Sequence, residues 1–522
     1  MRFTKLFSAL AAFLSLTATA QVTNVAVVSI APTTSQLSLD DAVRLALEHN
    51  LDIQVERFNP VISEYDRRAL YGYYDPTFKA ALGHGENNRP SGGINVNTGN
   101  DYPGTRSKTD SADFGLGGYV PTGMRYDITH SVSESVVTTP NFIGTNSSGQ
   151  PIYGNKTTDT YYSGALLTLS QPLLRDFWID APRLAIQLAR RNVRMSELDT
   201  ERSIMLIITA VERAYYELIA ARETVLVRES DVAVKQQFFQ EQRRRVEVGA
   251  LAPLEEKLAQ SEVALAQTQL LLARNDAATA DANLKSLIHD NFAEQLNTRV
   301  QLTDKLLAVP AIPNLQDAFK DAVEKRPDLQ SMRINLEKHD IQLKFDKNQL
   351  YPQLDLFGSY GVNGVDARLG EALDDLAKRS YPQHTYGVLF SVPLSMKRQR
   401  ENLKSDKAAK AQAILMFQRL EENIFAEVEF GVRQLRTLWE AIPLTKDRIE
   451  YARAALEAEQ KKLNLGKSTS FEVLKLATDL TSAQLNEIVA LKNYNQGAAD
   501  LAVRTGTTFE RRRIAVPKRD VP

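Results

Sequence analysis

Two kinds of pattern divide the chain: long stretches with neither proline nor glycine, and short segments in which apolar and polar residues roughly alternate. From 184 to 248 alanine, leucine, arginine, glutamate and glutamine dominate without a Pro or a Gly. That stretch predicts one helix of ~65 residues, about 97 Å long at 1.5 Å per residue. Globular domains rarely hold such a helix, so it needs a coiled-coil neighbour. Gly249 and Pro253 then stop one helix and start another, which runs to about 288, so 184–288 reads as a tight helical hairpin. A second hairpin is expected at 397–504, from helices at 397–465 and 470–504, with Pro443 kinking or breaking the first. Shorter helices at 51–74 and 327–349, stacked end to end with 253–288 and 470–504, would match the long ones in length at ~90 Å.

The alternating segments lie at 160–171 and 384–392 and are rich in Tyr, Leu and Val. Their partners follow two prolines, at 77–83 and 353–361. Membrane-spanning strands need about 9–11 residues, with aromatic residues at the interfaces. Tyr161, Tyr162, Tyr351, Tyr360, Tyr381 and Tyr386 sit at or near these strand ends. Four strands cannot close a barrel, whereas three copies would supply twelve.

The halves of the chain resemble each other. Ala42 pairs with Ala318, and the same spacing pairs Ala46 with Ala322, Glu48 with Glu324, Asp52 with Asp328, Gln54 with Gln330 and Pro76 with Pro352. Later, Pro172 matches Pro393 and Gly249 matches Gly466 at a smaller spacing. The first half therefore carries extra residues between Pro76 and Pro172, and they form the Gly/Ser/Asn/Thr-rich stretch at about 83–159. Within it, 113–120 and 124–132 read as a β-hairpin turning at Pro121-Thr122-Gly123. An even number of extra strands either widens a barrel or caps it outside.

The organisation is then a signal peptide at 1–20, an N-terminal linker at 21–36, a first structural repeat at 37–312, a second at 313–507 and a polar tail at 508–522. Arg2 and Lys5, the apolar stretch from Leu6 to Leu16 and Ala18-Thr19-Ala20 carry the export signal. Beyond it no apolar run reaches the ~20 residues of a membrane helix. Sixty-three basic and 64 acidic residues nearly cancel, so no bulk charge points to nucleic acid. The chain has no cysteine, which excludes disulfides, thiolate metal sites, a cysteine nucleophile and a lipoprotein anchor.

The signal peptide, the duplicated unit, the Leu-x-x-Ala-x-x-x-Ala opening at Leu39, the strand ending Gln171-Pro172-Leu173-Leu174 and the glycine-containing helical turns together resemble the TolC family of outer-membrane efflux proteins. The resemblance covers 37 to about 507. It implies a mainly α fold with a β-barrel part: a homotrimer whose twelve-stranded transmembrane β-barrel continues into a twelve-helix periplasmic α-barrel. Short helices near 37–50 and 313–326, with the C-terminal tail, would belt the α-barrel's middle. The implied function is a passive conduit in outer-membrane lipid, working with a periplasmic adaptor protein and an inner-membrane pump. Drug efflux, metal efflux and protein secretion share this kind of duct.

By the same resemblance the entrance closes at the hairpin tips, here 249–254 and 466–471. Two acidic residues ring the entrance in the best-known member, and the matching positions are Glu472 and Lys475. Three copies of Glu472 would favour cations, while lysine at 475 departs from a second acidic ring. That member's lock is an aromatic and an arginine bonded to the first hairpin. Leu463 and Ser468 stand there instead, opposite Glu255, so the gate is expected to be held by packing or by a Lys467–Glu255 pair.

Other motifs carry little. Gly466-Lys467-Ser468-Thr469 ends like a phosphate-binding loop, but Lys461 replaces its first glycine and a helix precedes it. The six histidines show no ligand spacing. The runs Arg243-Arg244-Arg245 and Arg511-Arg512-Arg513 read as solvated faces, with the first, near a hairpin tip, also placed to contact a partner. No catalytic group, cofactor or metal is expected. The rival to a duct is a periplasmic or surface coiled-coil structural protein.

Overall fold

The computed structural model describes residues 34–90, 104–249, 251–295, 298–310 and 312–515. The expected signal peptide, most of the linker and the end of the tail lie outside the described residues. In chain order, β1 (Thr34–Leu37) leads into α1 (Leu39–His49) and α2 (Leu51–Ala69). Ser38 starts α1 by accepting a hydrogen bond from Asp41 N at 3.1 Å, and Asn50 starts α2 by accepting from Ile53 N at 3.0 Å. After a 3-10 turn at Leu70–Tyr74 come β2 (Thr77–Arg89), β3 (Thr105–Tyr119), β4 (Arg125–Thr145) and β5 (Pro151–Pro172). Then follow α3 (Ala181–Glu247), α4 (Pro253–Ile288), α5 (Phe292–Gln295) and β6 (Arg299–Leu302), which pairs in parallel with β1. The remaining elements are α6 (Leu315–Lys325), α7 (Pro327–Asn348), β7 (Gln353–Asp366), α8 (Leu369–Lys378), β8 (Tyr381–Ser391), α9 (Lys397–Asn464), α10 (Ser470–Thr505) and α11 (Thr508–Arg511).

The helices come in matched lengths. α3 has 67 residues and α9 has 68, so each is roughly 100 Å long. α4 and α10 have 36 each, and α1 and α6 have 11 each. α2 and α4 both lie against α3, while α7 and α10 both lie against α9; α3 also packs on α7 and α10. Along α4, Ala259, Ala266, Ala273 and Ala280 are buried at a seven-residue repeat, a seam of small side chains that lets two helices approach closely.

The cores sit at the middles of the long helices. Ala42, Val43 and Ala46 of α1 pack with Ile204, Ile208, Val211 and Leu218 of α3 and with Leu284 and Ile288 of α4. In the same way Ala318 and Ala322 of α6 join Ile424, Val428, Val432 and Leu435 of α9. Burying each such Ile, Leu or Val contributes about 1.5–3 kcal/mol, so the short helices fasten the long ones at mid-length. Among the described residues no helix is long and apolar enough to cross a membrane.

Three expectations need narrowing or correction. Of the kink or break expected at Pro443 the break does not occur, since α9 runs unbroken from Lys397 to Asn464. Its neighbours explain why: Ile442 is buried and Trp439 packs on Tyr494 with ring centroids 5.4 Å apart, so packing holds the helix across the missing hydrogen bond. Second, of the run Arg511-Arg512-Arg513 only Arg511 and Arg513 are exposed, and Arg512 is not part of a solvated face. Arg512 Nε donates to Glu212 Oε1 at 2.5 Å, and Glu212 is only 1% exposed. Third, the sheet holds six strands, not four, in the order β2-β3-β4-β5-β7-β8, every neighbour antiparallel. The hairpin of the inserted stretch lies inside the sheet, between β2 and β5, so the sum of twelve strands from four per chain no longer follows.

Candidate functional site

Two regions bear on a conduit: the hairpin tips at one end of the helices and the sheet at the other. At the tips α3 ends in Gly249 and α9 in Gly466, with φ of +74° and +69°. That left-handed conformation suits glycine, which has no Cβ to clash, and it turns each helix back on itself within a few residues. Pro253 then opens α4, and Thr469 caps α10 by accepting from Glu472 N at 3.4 Å.

The two tips are fastened to each other by contacts that sequence reasoning did not reach. Ser470 Oγ donates to Gln242 Oε1 at 3.0 Å, and Thr481 Oγ1 donates to Asp231 Oδ1 at 3.1 Å, both buried. Between them Phe238 packs on Leu456, Val473 and Ala477. One turn from Asp231, the buried Lys235 reaches Glu262 of α4 at 3.2 Å and Asp231 at 3.6 Å. Only the buried polar character of these positions unites them, and partners more than 200 residues apart leave no local pattern in the chain.

Of the expected tip residues, Gly249, Gly466, Lys467, Glu472 and Lys475 are exposed, and Glu255 is half-buried. No ion pair joins Lys467 to Glu255 among the described residues. Ser468 bonds instead to Glu459 of its own hairpin at 2.6 Å, and Glu459 also pairs with Lys462. Those two donors hold the Glu459 carboxyl below the usual carboxylate range. Glu472 and Lys475 lie three residues apart on α10 and therefore on one helix face.

The sheet has two unlike faces. Successive side chains of a strand point to opposite sides, and the register aligns them across strands. One row reads Phe78, Leu116, Ile128, Leu167, Tyr360 and His384 from β2 to β8. Leu82, Phe114, Tyr126, Val132, Leu169, Val362, Leu356, Tyr386, Val388 and Phe390 share that face. Its apolar positions step toward the helical end from β2 to β8, the stagger expected of tilted strands. Phe78 is 67% exposed, Leu82 74%, Tyr386 81% and Phe390 62%, so outside the part of β5 and β7 that α8 covers this face lacks an apolar partner within the chain. The opposite face carries Lys79, Asp113, Asp127, Thr129, Ser131, Ser133, Thr168, Ser170, Asp355, Ser359, Asn363 and Thr385, interrupted by Leu166, Phe357 and Leu389 and, toward the strand ends, by Tyr119, Val137, Tyr162, Val365 and Tyr381.

At the end far from the helices the apolar face gives way to polar pairs. His84 Nδ1 lies 2.5 Å from Asp110 Oδ1, Arg106 pairs with Glu86 at 2.7 Å, and Tyr161 donates to Glu134 at 2.7 Å. α8 lies over this end, with Ser163 Oγ donating to Ala372 O at 2.8 Å. A Cβ at Gly364 would come within 2.0 Å of the same oxygen, so only glycine lets α8 settle there. The outer strands β2 and β8 each have one neighbour, which leaves a row of backbone donors and acceptors open on either edge.

Two buried charged groups lie between these ends. Arg512, after α11, pairs with Glu212 of α3 and with Asp40 of α1, and Lys325 of α6 pairs with Glu510 at 2.7 Å, so α11 ties both halves of the chain together. Near the sheet, burial and the facing Asp406 carboxyl push Asp346 up to about 6. Asp346 Oδ2 is buried without a donor, which a proton on it would relieve. Among the described residues no group of three or more His, Asp or Glu could hold a metal ion.

Residues 143–288 and 318–507 match the model of a family described as outer membrane efflux protein. The multidrug resistance outer membrane protein MdtP of Escherichia coli K12 is 20% identical over 329 residues, which cover 62% of this chain and 65% of MdtP, just under two thirds of that relative. The CmeC outer membrane channel of Campylobacter jejuni superposes with a TM-score of 0.62 at 16% identity, covering 90% of this chain and 86% of that one. The outer membrane protein VceC of Vibrio cholerae gives 0.63 at 15% identity, covering 90% and 96%. At such identities the likeness concerns the fold, that of TolC-like channels, mostly helical with a sheet.

Proposed function

The chain belongs to the outer membrane efflux protein family, and from that premise we propose that it is the outer-membrane exit duct of a tripartite efflux or type I secretion system. It resides in the outer membrane and extends into the periplasm. Three copies close their sheets into one β-barrel in lipid, while their long helices and stacked shorter helices form a twelve-helix α-barrel below. The halves 37–312 and 313–507 are two copies of one ancestral unit, a reading supported by their matched helix lengths.

One observation carries this best. The sheet exposes an apolar face and leaves both edges open, and in lipid neither can stand alone: the face seeks hydrocarbon, and the edges must be paired. A soluble rod has no use for such a sheet. Water and solutes pass along the opposite, polar face. The chain supplies no driving force of its own, so an inner-membrane pump does, through a periplasmic adaptor docked at the tips. MdtP is a multidrug resistance protein, so by that likeness drug-sized solutes are the first cargo to test.

At the entrance, Gly249 and Gly466 form the turns, Glu472 makes a negative ring, and Lys475 tempers it. Packing at Phe238 and the Gln242–Ser470 and Asp231–Thr481 bonds support closure by packing better than a Lys467–Glu255 pair. Protein purified in detergent should have the mass of a trimer and give discrete conductance steps in planar bilayers. A water-soluble monomer without conductance contradicts the proposal.

A further inference from the structure

We infer that the hairpin β3–β4 is part of the membrane-embedded wall, so that each chain contributes six strands and the trimer forms an eighteen-stranded barrel. This rests on the duct reading above and adds the size of the pore. Three independent features of the hairpin support it.

The first is register. β3 pairs with β2 from Thr105 to Gly117 and β4 pairs with β5 along almost its whole length, so the hairpin is a continuous part of the sheet. The second is chemistry. Phe114 and Leu116 of β3 and Tyr126, Ile128 and Val132 of β4 fall in the same rows as the apolar residues of the other four strands. On their other side Ser111, Asp113, Asp127, Thr129, Ser131 and Ser133 extend the polar face. His130 is the one polar interruption of the band on β4, and its Nδ1 lies 3.1 Å from Gly164 O. A cap outside the membrane would have no reason to keep the apolar face in step with its neighbours; lipid contact requires it.

The third is anchorage. The turn between β3 and β4 sits at the helical end, where Gln171 Nε2 donates to Thr122 O at 3.2 Å. Gly123, with φ of +86°, lies so close to Arg183 and to the Asp176 carbonyl that a Cβ would stand 3.0 and 3.1 Å from them. Arg183 itself donates to Asp176 O and Phe177 O at the start of α3. Tyr119 stacks on Tyr73 with centroids 4.6 Å apart. The hairpin is thus seated where strands become helices, as a wall strand must be.

The consequence is a wide barrel. With strands ~4.8 Å apart and tilted by ~40°, twelve strands enclose a cylinder about 24 Å across and eighteen one of about 36 Å, measured between backbones. The cross-section therefore roughly doubles at the outer-membrane end, and eighteen strands fall in the porin range, where an aqueous channel remains open.

The test is to count strands by electron cryomicroscopy of the full chain in lipid nanodiscs, beside a variant lacking 105–150. In that variant β2 and β5 become neighbours, and the order of the sheet already makes them antiparallel, so the deletion leaves a permitted topology. Eighteen strands in the full chain and twelve in the variant are expected, with the barrel narrowing by about a third. A lipid-embedded trimer whose full chain shows twelve strands, with 105–145 outside the wall, overturns the inference and leaves the duct reading intact. A water-soluble monomer overturns both. Should the variant not assemble, eighteen or twelve strands in the full chain still decides.

Discussion

The first half of the chain places four strands in the sheet and the second half two, although three pairs of matched helices, α3 with α9, α4 with α10 and α1 with α6, agree to within one residue. The two regions obey different constraints. A long helix packed side by side with another along ~100 Å must match it, because a shorter partner would leave buried apolar surface uncovered. An antiparallel sheet accepts a whole hairpin without disturbing the direction of any other strand, so its width is free to change in steps of two. Growth at the sheet and invariance in the helices are therefore what the physics permits.

The short helices that fasten the long ones at mid-length show a second asymmetry. In the first half the α1–α2 junction is held by Asn50, whose Nδ2 donates to Leu287 O at 2.8 Å. In the second, Arg326 stands at the α6–α7 junction and binds Asp328 and Glu427 at 2.7 Å each and Arg504 O at 3.2 Å. The first half gains its charge from far away instead, through Glu212 and Arg512. The largest expected effect is accordingly Glu212→Ala, which strands the arginine and should cost about 3–5 kcal/mol in chemical unfolding. A loss below ~1 kcal/mol would mean that α11 does not fasten the halves.

Next come the faces of the sheet. Ile128→Arg should destabilise the membrane part by about 2–4 kcal/mol, whereas Thr129→Arg on the opposite side should cost under ~1 kcal/mol, read as heat resistance of the assembled oligomer on gels. Equal costs would erase the distinction between faces. Smaller still is the difference at the junctions: Asn50→Ala should cost ~1 kcal/mol through the lost cap, and Arg326→Ala about twice that, because two carboxylates lose their partner. The reverse order would show that charge is not what holds the second half.

A last effect, similar in size to those at the junctions, depends on pH. Asp346 has a raised carboxyl at about 6 against an ordinary value of 3.8, so its protonated form is favoured on folding. That contribution is complete below pH 4 and is lost as pH rises through 6. Asp346→Asn should therefore stabilise the protein by about 1–2 kcal/mol at pH 7.5 and by nothing at pH 4. A gain independent of pH would assign the effect to packing.

How much of this was legible in the sequence depends on how far apart the partners lie. The first long helix announces itself because Pro and Gly are absent from 184–248 and return at 249 and 253, and the second is read from its likeness to the first although it holds Gly431 and Pro443. The hairpin at 113–132 was readable as a hairpin from its Pro-Thr-Gly turn and alternating residues. Its place in the sheet was not, since alternation says nothing about which strand lies beside it. β1 and β6, four residues each, are too short to show a period. The basic run at 511–513 looks like any solvated patch until Glu212, 300 residues earlier, is seen to be buried beside it. The alanine seam of α4 was not singled out, because further alanines at 264, 277, 278 and 282 blur the seven-residue spacing until burial marks 259, 266, 273 and 280.

Because the natural chain has no cysteine, single cysteines can map the wall directly. They would be placed at Phe78, Phe114, Ile128, Leu167, Tyr360 and Val388 on one side and at Lys79, Gly115, Thr129, Thr168, Ser359 and Thr385 on the other. Each variant, in lipid nanodiscs, would be exposed to a membrane-impermeant maleimide. The first six should stay unlabelled and the second six react. Labelling of both sets alike would contradict the claim that one face of all six strands meets lipid.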